Sequence, residues 1–242
     1  MNDKRLTLFA GHYGSGKTNI AVNYALSLAK AGKKVCIADL DIVNPYFRTK
    51  DSEQELTASG ITLISPRYAN TNVDLPALPP ESYRLVQDKS IFGIMDIGGD
   101  DRGAYALGRF TPAIKAEGDY RMAFVVNCYR PLTSTPEDTV EVMREIENAC
   151  GLKFTCIVNN SNLGEETTAK TVRDSLSFIE KLCDMTGLPL WCHTAKASVA
   201  EELTELSVLP LTLQKSILTC RHRLDASAHG LIRRNINDKS NV

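Results

Sequence analysis

Apolar residues in this chain fall into short, nearly unbroken runs, and the stretches between the runs carry helical spacing. The runs are RLTLFA (Arg5–Ala10), KVCIAD (Lys34–Asp39), ITLIS (Ile61–Ser65), FGIMDI (Phe92–Ile97), MAFVVN (Met122–Asn127), FTCIVN (Phe154–Asn159) and LPLWCH (Leu188–His193). A strand with one wet face alternates apolar and polar residues, so runs with little alternation predict strands covered on both faces. Helical patterns lie between them: Lys17 to about Ala31 with Gly32 as a stop, then Pro136–Ala149, Glu166–Met185 and Leu211–Leu224. The first of these is apolar almost all round, through Ile20, Ala21, Val22, Tyr24, Ala25, Leu26, Leu28 and Ala29. It predicts a helix packed on two sides rather than one. Strands alternating with helices predict a doubly wound α/β fold, a mostly parallel sheet with helices on both faces.

No repeat or linker divides the 242 residues. One domain over residues 1–232 is predicted, followed by a polar, disordered tail at 233–242. The stripe Leu213, Ile217, Cys220 and Leu224 is expected to pack on the core. The charge balance, 28 basic against 29 acidic residues, gives no basis for nucleic acid or an anionic membrane as partner. Seven scattered cysteines, none in a C-x-x-C pair, argue against zinc, iron–sulfur and disulfide roles and for reduced thiols. Met1–Arg5 is polar and the apolar run after it is too short for a signal peptide, so a cytoplasmic protein is expected.

One segment carries chemistry. FAGHYGSGKTNI (Phe9–Ile20) places Gly11 four residues before Gly16-Lys17-Thr18, the spacing of a phosphate-cradling loop. Such a loop between strand and helix turns its backbone N–H groups inward onto phosphate, and the start of the following helix adds positive potential. Gly14 and Gly16 are expected to take the unusual backbone angles. The nucleotide-binding set is then Gly11, His12, Tyr13, Gly14, Ser15, Gly16, Lys17, Thr18 and Asn19, with Lys17 on the β- and γ-phosphates and the Thr18 hydroxyl on Mg²⁺. Two acidic stretches join it. ADLDIVNPYF (Ala38–Phe47) ends one strand with Asp39 and Asp41, and GIMDIGGDD (Gly93–Asp101) ends another with Asp96, Gly98 and Gly99. Strand ends in a doubly wound sheet line one crevice, and clustered carboxylates there call for a divalent cation.

This order of loop, Asp-x-Asp strand and Asp-x-x-Gly strand resembles the MinD/ParA-type ATPases, of the SIMIBI class of P-loop NTPases. The resemblance is strongest over Leu6–Leu56 and Ile91–Asp101. It implies that Asp39 lies near the Mg²⁺ shell, Asp41 positions or activates the attacking water, and Asp96 holds Mg²⁺ through water. It makes Gly99 the backbone sensor of the γ-phosphate and Gly99–Phe110 a switch. It also places NNSNLG (Asn159–Gly164) at the base. A guanine site needs an aspartate there, whereas Asn160 and Asn162 stand in this chain, so Asn160 is expected to read adenine and the nucleotide to be ATP. The family's loop carries a second lysine where this chain has His12; that lysine reaches a partner's nucleotide across a dimer.

The expected function is Mg²⁺-dependent ATP binding and slow hydrolysis, gating a protein partner or the maturation of an enzyme. A nucleotide-dependent homodimer is the expected assembly. The alternative is an ATP-dependent ligase or kinase that activates a small carboxylate. A positioning ATPase on DNA or membrane is disfavoured by the neutral charge.

Overall fold

Among the described residues eight strands make one sheet in which every neighbouring pair is parallel. A computed structural model describes residues 3–40, 49–65, 80–99 and 101–212. The strands are β1 (Leu6–Ala10), β2 (Val35–Leu40), β3 (Thr62–Ile64), β4 (Phe92–Ile97), β5 (Tyr120–Val126), β6 (Cys156–Asn159), β7 (Leu190–Lys196) and β8 (Val208–Leu211). Their spatial order is β3-β2-β4-β1-β5-β6-β7-β8. From β1 the chain passes to β2 and outward to β3 on one side, returns to insert β4 between β1 and β2, then crosses to β5 and builds outward on the other. The carboxyl end of β1 is therefore a topological switch point, where open α/β sheets form their crevice.

Nine helices are seen among the described residues: α1 (Lys17–Lys30), α2 (Glu53–Ala58), α3 (Arg84–Gln87), α4 (Asp101–Gly108), α5 (Thr111–Glu117), α6 (Pro136–Cys150), α7 (Ala169–Asp174), α8 (Leu176–Thr186) and α9 (Ala197–Ala200). One face of the sheet sends Leu8, Met95, Met122 and Phe124 against Leu107, Phe110, Ile114, Met143, Ile179 and Leu182 from the α4–α5, α6 and α8 layer. The other sends Phe9, Ile37, Ile94 and Val125 against Ile20, Ala21, Tyr24, Ala25 and Leu28 of α1. Burial of such side chains stabilises by about 1.5–3 kcal/mol each. Trp191 of β7 stacks on Phe9 (5.9 Å) and meets Tyr24 edge-on (5.2 Å), and the Arg121 guanidinium lies 4.0 Å above its ring. These contacts fix α1 against the sheet. A second flank of α1 meets the chain just past β8, where the Thr212 N–H donates to Asn23 Oδ1 (2.8 Å), while Ser27 and Lys30 stay exposed.

Two expectations need correction. Leu211 was expected to open the last helix, but it ends the edge strand β8. Pro210 lacks an N–H to donate and is tolerated there because one side of an edge strand has no partner. The pattern over Glu166–Met185 is two helices, α7 and α8, meeting at Ser175. The Ser175 hydroxyl donates to the Val172 carbonyl (2.7 Å) and accepts from Asn159 Nδ2 of β6 (2.9 Å), so a sheet side chain enters the junction. The stretch after Gly99 forms α4 and α5, divided at Phe110, with Pro112 in the first turn of α5 where its missing N–H costs nothing. The remainder of the predicted last helix and the 233–242 tail lie outside the described residues, as does the Asp41 to Phe47 segment. Among the described residues no helix is long and apolar enough to cross a membrane.

Candidate functional site

The glycine-rich turn leaves β1 at the switch point and enters α1. Gly14 and Gly16 take left-handed angles (φ 75° and 89°), as their positions in the loop predict. At Gly16 a side chain is excluded twice: the angle disfavours one, and a Cβ would stand 2.1 Å from Asn160 Nδ2. Lys17 and Thr18 are buried at the start of α1, and the Lys17 ammonium donates across the turn to the His12 carbonyl (3.1 Å). Ser15 is buried, Asn19 is half-buried, and Gly11 packs against the Val125 carbonyl of β5. His12 is half-buried, and its Nδ1 lies 3.0 Å from the Tyr13 carbonyl. A carbonyl only accepts, so Nδ1 carries the proton there. Tyr13 is 53% exposed at the mouth of the turn.

On the β4 side the carboxylates gather. Asp39 and Asp96 are partners in register on adjacent strands, 1% and 0% exposed. Side chains alternate along a strand, so they share the face of Ile37 and Ile94, the face that α1 covers. The Thr49 hydroxyl donates to Asp96 Oδ2 (3.0 Å). Two carboxylates on strands about 4.8 Å apart repel unless a cation or proton sits between them. Their oxygens, like the buried Thr18 hydroxyl at the start of α1, are hard donors of the kind Mg²⁺ takes. Among the described residues no three acidic, His or Cys side chains form an all-protein metal cage. Just beyond β4, a Cβ on Gly99 would stand 2.7 Å from the Tyr13 nitrogen and 3.0 Å from Lys17 Nζ. The end of β4 thus touches the phosphate loop itself.

On the β6 side the asparagine amides bond to the protein itself. Asn160, expected to meet adenine, is 4% exposed and held by protein at both ends of its amide. Nδ2 donates to the Ser15 carbonyl (2.6 Å), and Oδ1 accepts from the Thr194 hydroxyl of β7 (2.5 Å). It fastens the phosphate loop to the sheet. Asn162 likewise turns inward: Nδ2 donates to the Asn160 carbonyl (2.7 Å) and Oδ1 accepts from the Gly164 N–H (3.1 Å). Asn159, next to them, is fully engaged. Its Oδ1 accepts from the Ser161 N–H (3.0 Å), which leaves Nδ2 to donate to Ser175 and to His193 Nδ1 (3.0 Å). His193 must therefore carry its proton on Nε2, and burial lowers its pKa below the ordinary value.

The structure brings together the loop residues, Asp39, Asp96, Gly99 and Asn160; Asp41 lies outside the described residues. The sequence reading missed Thr49, Thr194 and Arg130. Arg130, in the turn after β5, donates from Nε to the Gly14 carbonyl (3.1 Å). No local pattern marks it, because its partner is more than a hundred residues away.

No family model matches the chain, and no curated protein matches it. Solved structures share its fold. FtsY from Mycoplasma mycoides is 14% identical, covers 90% of this chain and 65% of its own, and superposes with a TM-score of 0.57. The cell division protein FtsY from Thermotoga maritima is 16% identical over 80% of this chain and 62% of its own (TM-score 0.53). The signal recognition particle receptor FtsY from Elizabethkingia anophelis, in complex with GDP, is 15% identical over 80% and 58% (TM-score 0.51). The chain spans less than two thirds of the length of each. At 14–16% identity the likeness shows the fold and assigns no family. What it shows is the architecture: an α/β P-loop fold with its crevice at the carboxyl end of β1.

Proposed function

We propose that the chain binds a Mg²⁺–nucleoside triphosphate, ATP, at the carboxyl end of β1 and acts as a nucleotide-gated switch with slow hydrolysis. The contact of Gly99 with Tyr13 and Lys17 carries this reading. A terminal phosphate held by Lys17 must meet the Gly99 backbone, and α4 begins two residues later. Gain or loss of that phosphate therefore acts directly on α4, the order–disorder logic of nucleotide switches. Thr18, Asp39 and Asp96 hold Mg²⁺, which neutralises phosphate charge when bound. Asp41 orients the attacking water. The exposed large apolar side chains support a partner at the same edge: Tyr13, Tyr129, Leu132 and Leu163 stand on its loops, and Tyr105, 66% exposed, lies one turn into α4. A second copy bound when ATP is present is the partner we favour.

ATP follows from the lack of a carboxylate across Asn159–Leu163 to pair with guanine. A guanine nucleotide is the second reading, favoured by the GDP in the solved FtsY complex. Two measurements test the proposal. Competition of GTP against labelled ATP separates the bases; equal or tighter GTP binding overturns the ATP assignment. Asp41→Asn should keep Mg-ATP binding and lower phosphate release by roughly 10²-fold or more; unchanged turnover removes Asp41 from the chemistry.

A further inference from the structure

The phosphate loop has two sides. On the β4 side stand Gly99, Lys17 and the carboxylates Asp39 and Asp96, where a terminal phosphate and its cation belong. On the other side the loop is held through its outward carbonyls: Ser15 by Asn160 and Gly14 by Arg130. A nucleotide with its terminal phosphate at Lys17 must run its nucleoside toward that second side, because the buried acids occupy the first.

Arg130 stands there on a rigid mount. Asn127 Oδ1 accepts from the Tyr129 N–H (3.1 Å), and Asn127 Nδ2 donates to the Asn162 carbonyl (3.1 Å). The Cys128 N–H donates to the Ser161 hydroxyl (3.1 Å). The turn after β5 is thereby stitched to the loop after β6. Arg130 itself is exposed, and among the described residues it pairs with no carboxylate. Its guanidinium lies 3.6–3.7 Å from where a Gly14 Cβ would be, so it rides along the outer edge of the loop. One N–H of a planar group is spent on Gly14, and the side chain is exposed, so the plane is available to an aromatic ring.

Given nucleotide binding at this loop, we propose that Arg130 is the platform for the purine, its guanidinium plane stacked on the base. Every purine has a π-face, so the contact adds affinity for adenine and guanine alike. It supplies a base contact in a site where the amide of Asn160 is already committed to the loop.

The test compares wild type, Arg130→Ala and Arg130→Lys by calorimetry with Mg-ATP, Mg-ADP and inorganic tripolyphosphate. Both variants should weaken ATP and ADP by the same factor, roughly tenfold, and leave tripolyphosphate binding unchanged. Lysine keeps the charge but has no plane, so its failure to rescue marks stacking. Equal weakening of tripolyphosphate overturns the inference in favour of a phosphate or loop-shaping role. Full rescue by lysine overturns it in favour of simple charge, and unchanged ATP and ADP affinities leave Arg130 without a role. A wild-type protein that binds none of the three ligands defeats the nucleotide-binding reading itself, a result distinct from a failure confined to the variants.

Discussion

Removing the Asn160 side chain should loosen the fold before any nucleotide is added. Asn160→Ala deletes a 2.6 Å bond to the Ser15 carbonyl and a 2.5 Å bond from the Thr194 hydroxyl, in a position 4% exposed. Each bond contributes about 1 kcal/mol net, and stranding a buried polar group costs a further ~1–3 kcal/mol. The total is about 3–5 kcal/mol. For a chain of this size that lowers the melting temperature by roughly 6–20 °C. Asn160→Asp keeps the shape and the Thr194 bond but sets a carboxylate oxygen against the Ser15 carbonyl, two acceptors facing each other. Its loss should therefore grow as pH rises through the carboxyl pKa, since only the protonated acid can donate. Thermal melts of the nucleotide-free protein across pH make the measurement. A melting temperature like that of wild type, together with weakened ATP binding, would refute the reasoning and return Asn160 to the base.

Two further outcomes follow from the same geometry. Gly99→Ala drives a Cβ to 2.7 Å from the Tyr13 nitrogen, a backbone atom, so one of the two loops must shift; overpacking of this kind costs about 1–3 kcal/mol. It should weaken ATP more than ADP in calorimetric titration, and equal losses would detach Gly99 from the terminal phosphate. Burial lowers the His193 pKa, so below about pH 6.5 the unfolded chain binds the proton that the folded chain refuses. The stability held by this residue is complete above that pH and is lost as pH falls toward the lower folded value. Urea unfolding at about pH 7.5 and about pH 5.5 should show a smaller decline for His193→Gln than for wild type; identical declines would place the titration elsewhere.

The layered architecture was legible because buried parallel strands leave continuous apolar runs, and β4 spans the same residues that its run predicts, Phe92–Ile97. The loop was legible because a phosphate turn needs glycine at fixed offsets. What escaped depends on neighbours distant in sequence. β8 contains Pro210, a residue that argues against a strand unless the strand is known to be an edge. The junction of α7 and α8 is set by Asn159 reaching from the sheet, which helical periodicity does not record. Gly103, Gly108 and Pro112 hid α4 and α5, whose ends those residues tolerate. Asn160 was expected to meet the base, and in the structure its amide bonds Ser15 and Thr194. An amide reads equally well as a base contact or a loop fastener until Ser15 and Thr194 are seen on either side of it. Arg130 is an unremarked arginine in the sequence and acquires meaning only from Gly14.

The central claim is that Lys17 and the turn around it hold nucleotide phosphate with Mg²⁺. Calorimetric titration of Mg-ATP into wild type and Lys17→Ala tests it most directly. One saturable site per chain is expected. Binding should weaken about tenfold to a hundredfold in the variant, because charge-assisted hydrogen bonds worth roughly 1.5–3 kcal/mol are lost while the fold is kept. Chelating Mg²⁺ should weaken wild-type binding as well. Equal ATP affinity in both proteins, or no saturable binding in wild type, would contradict the account.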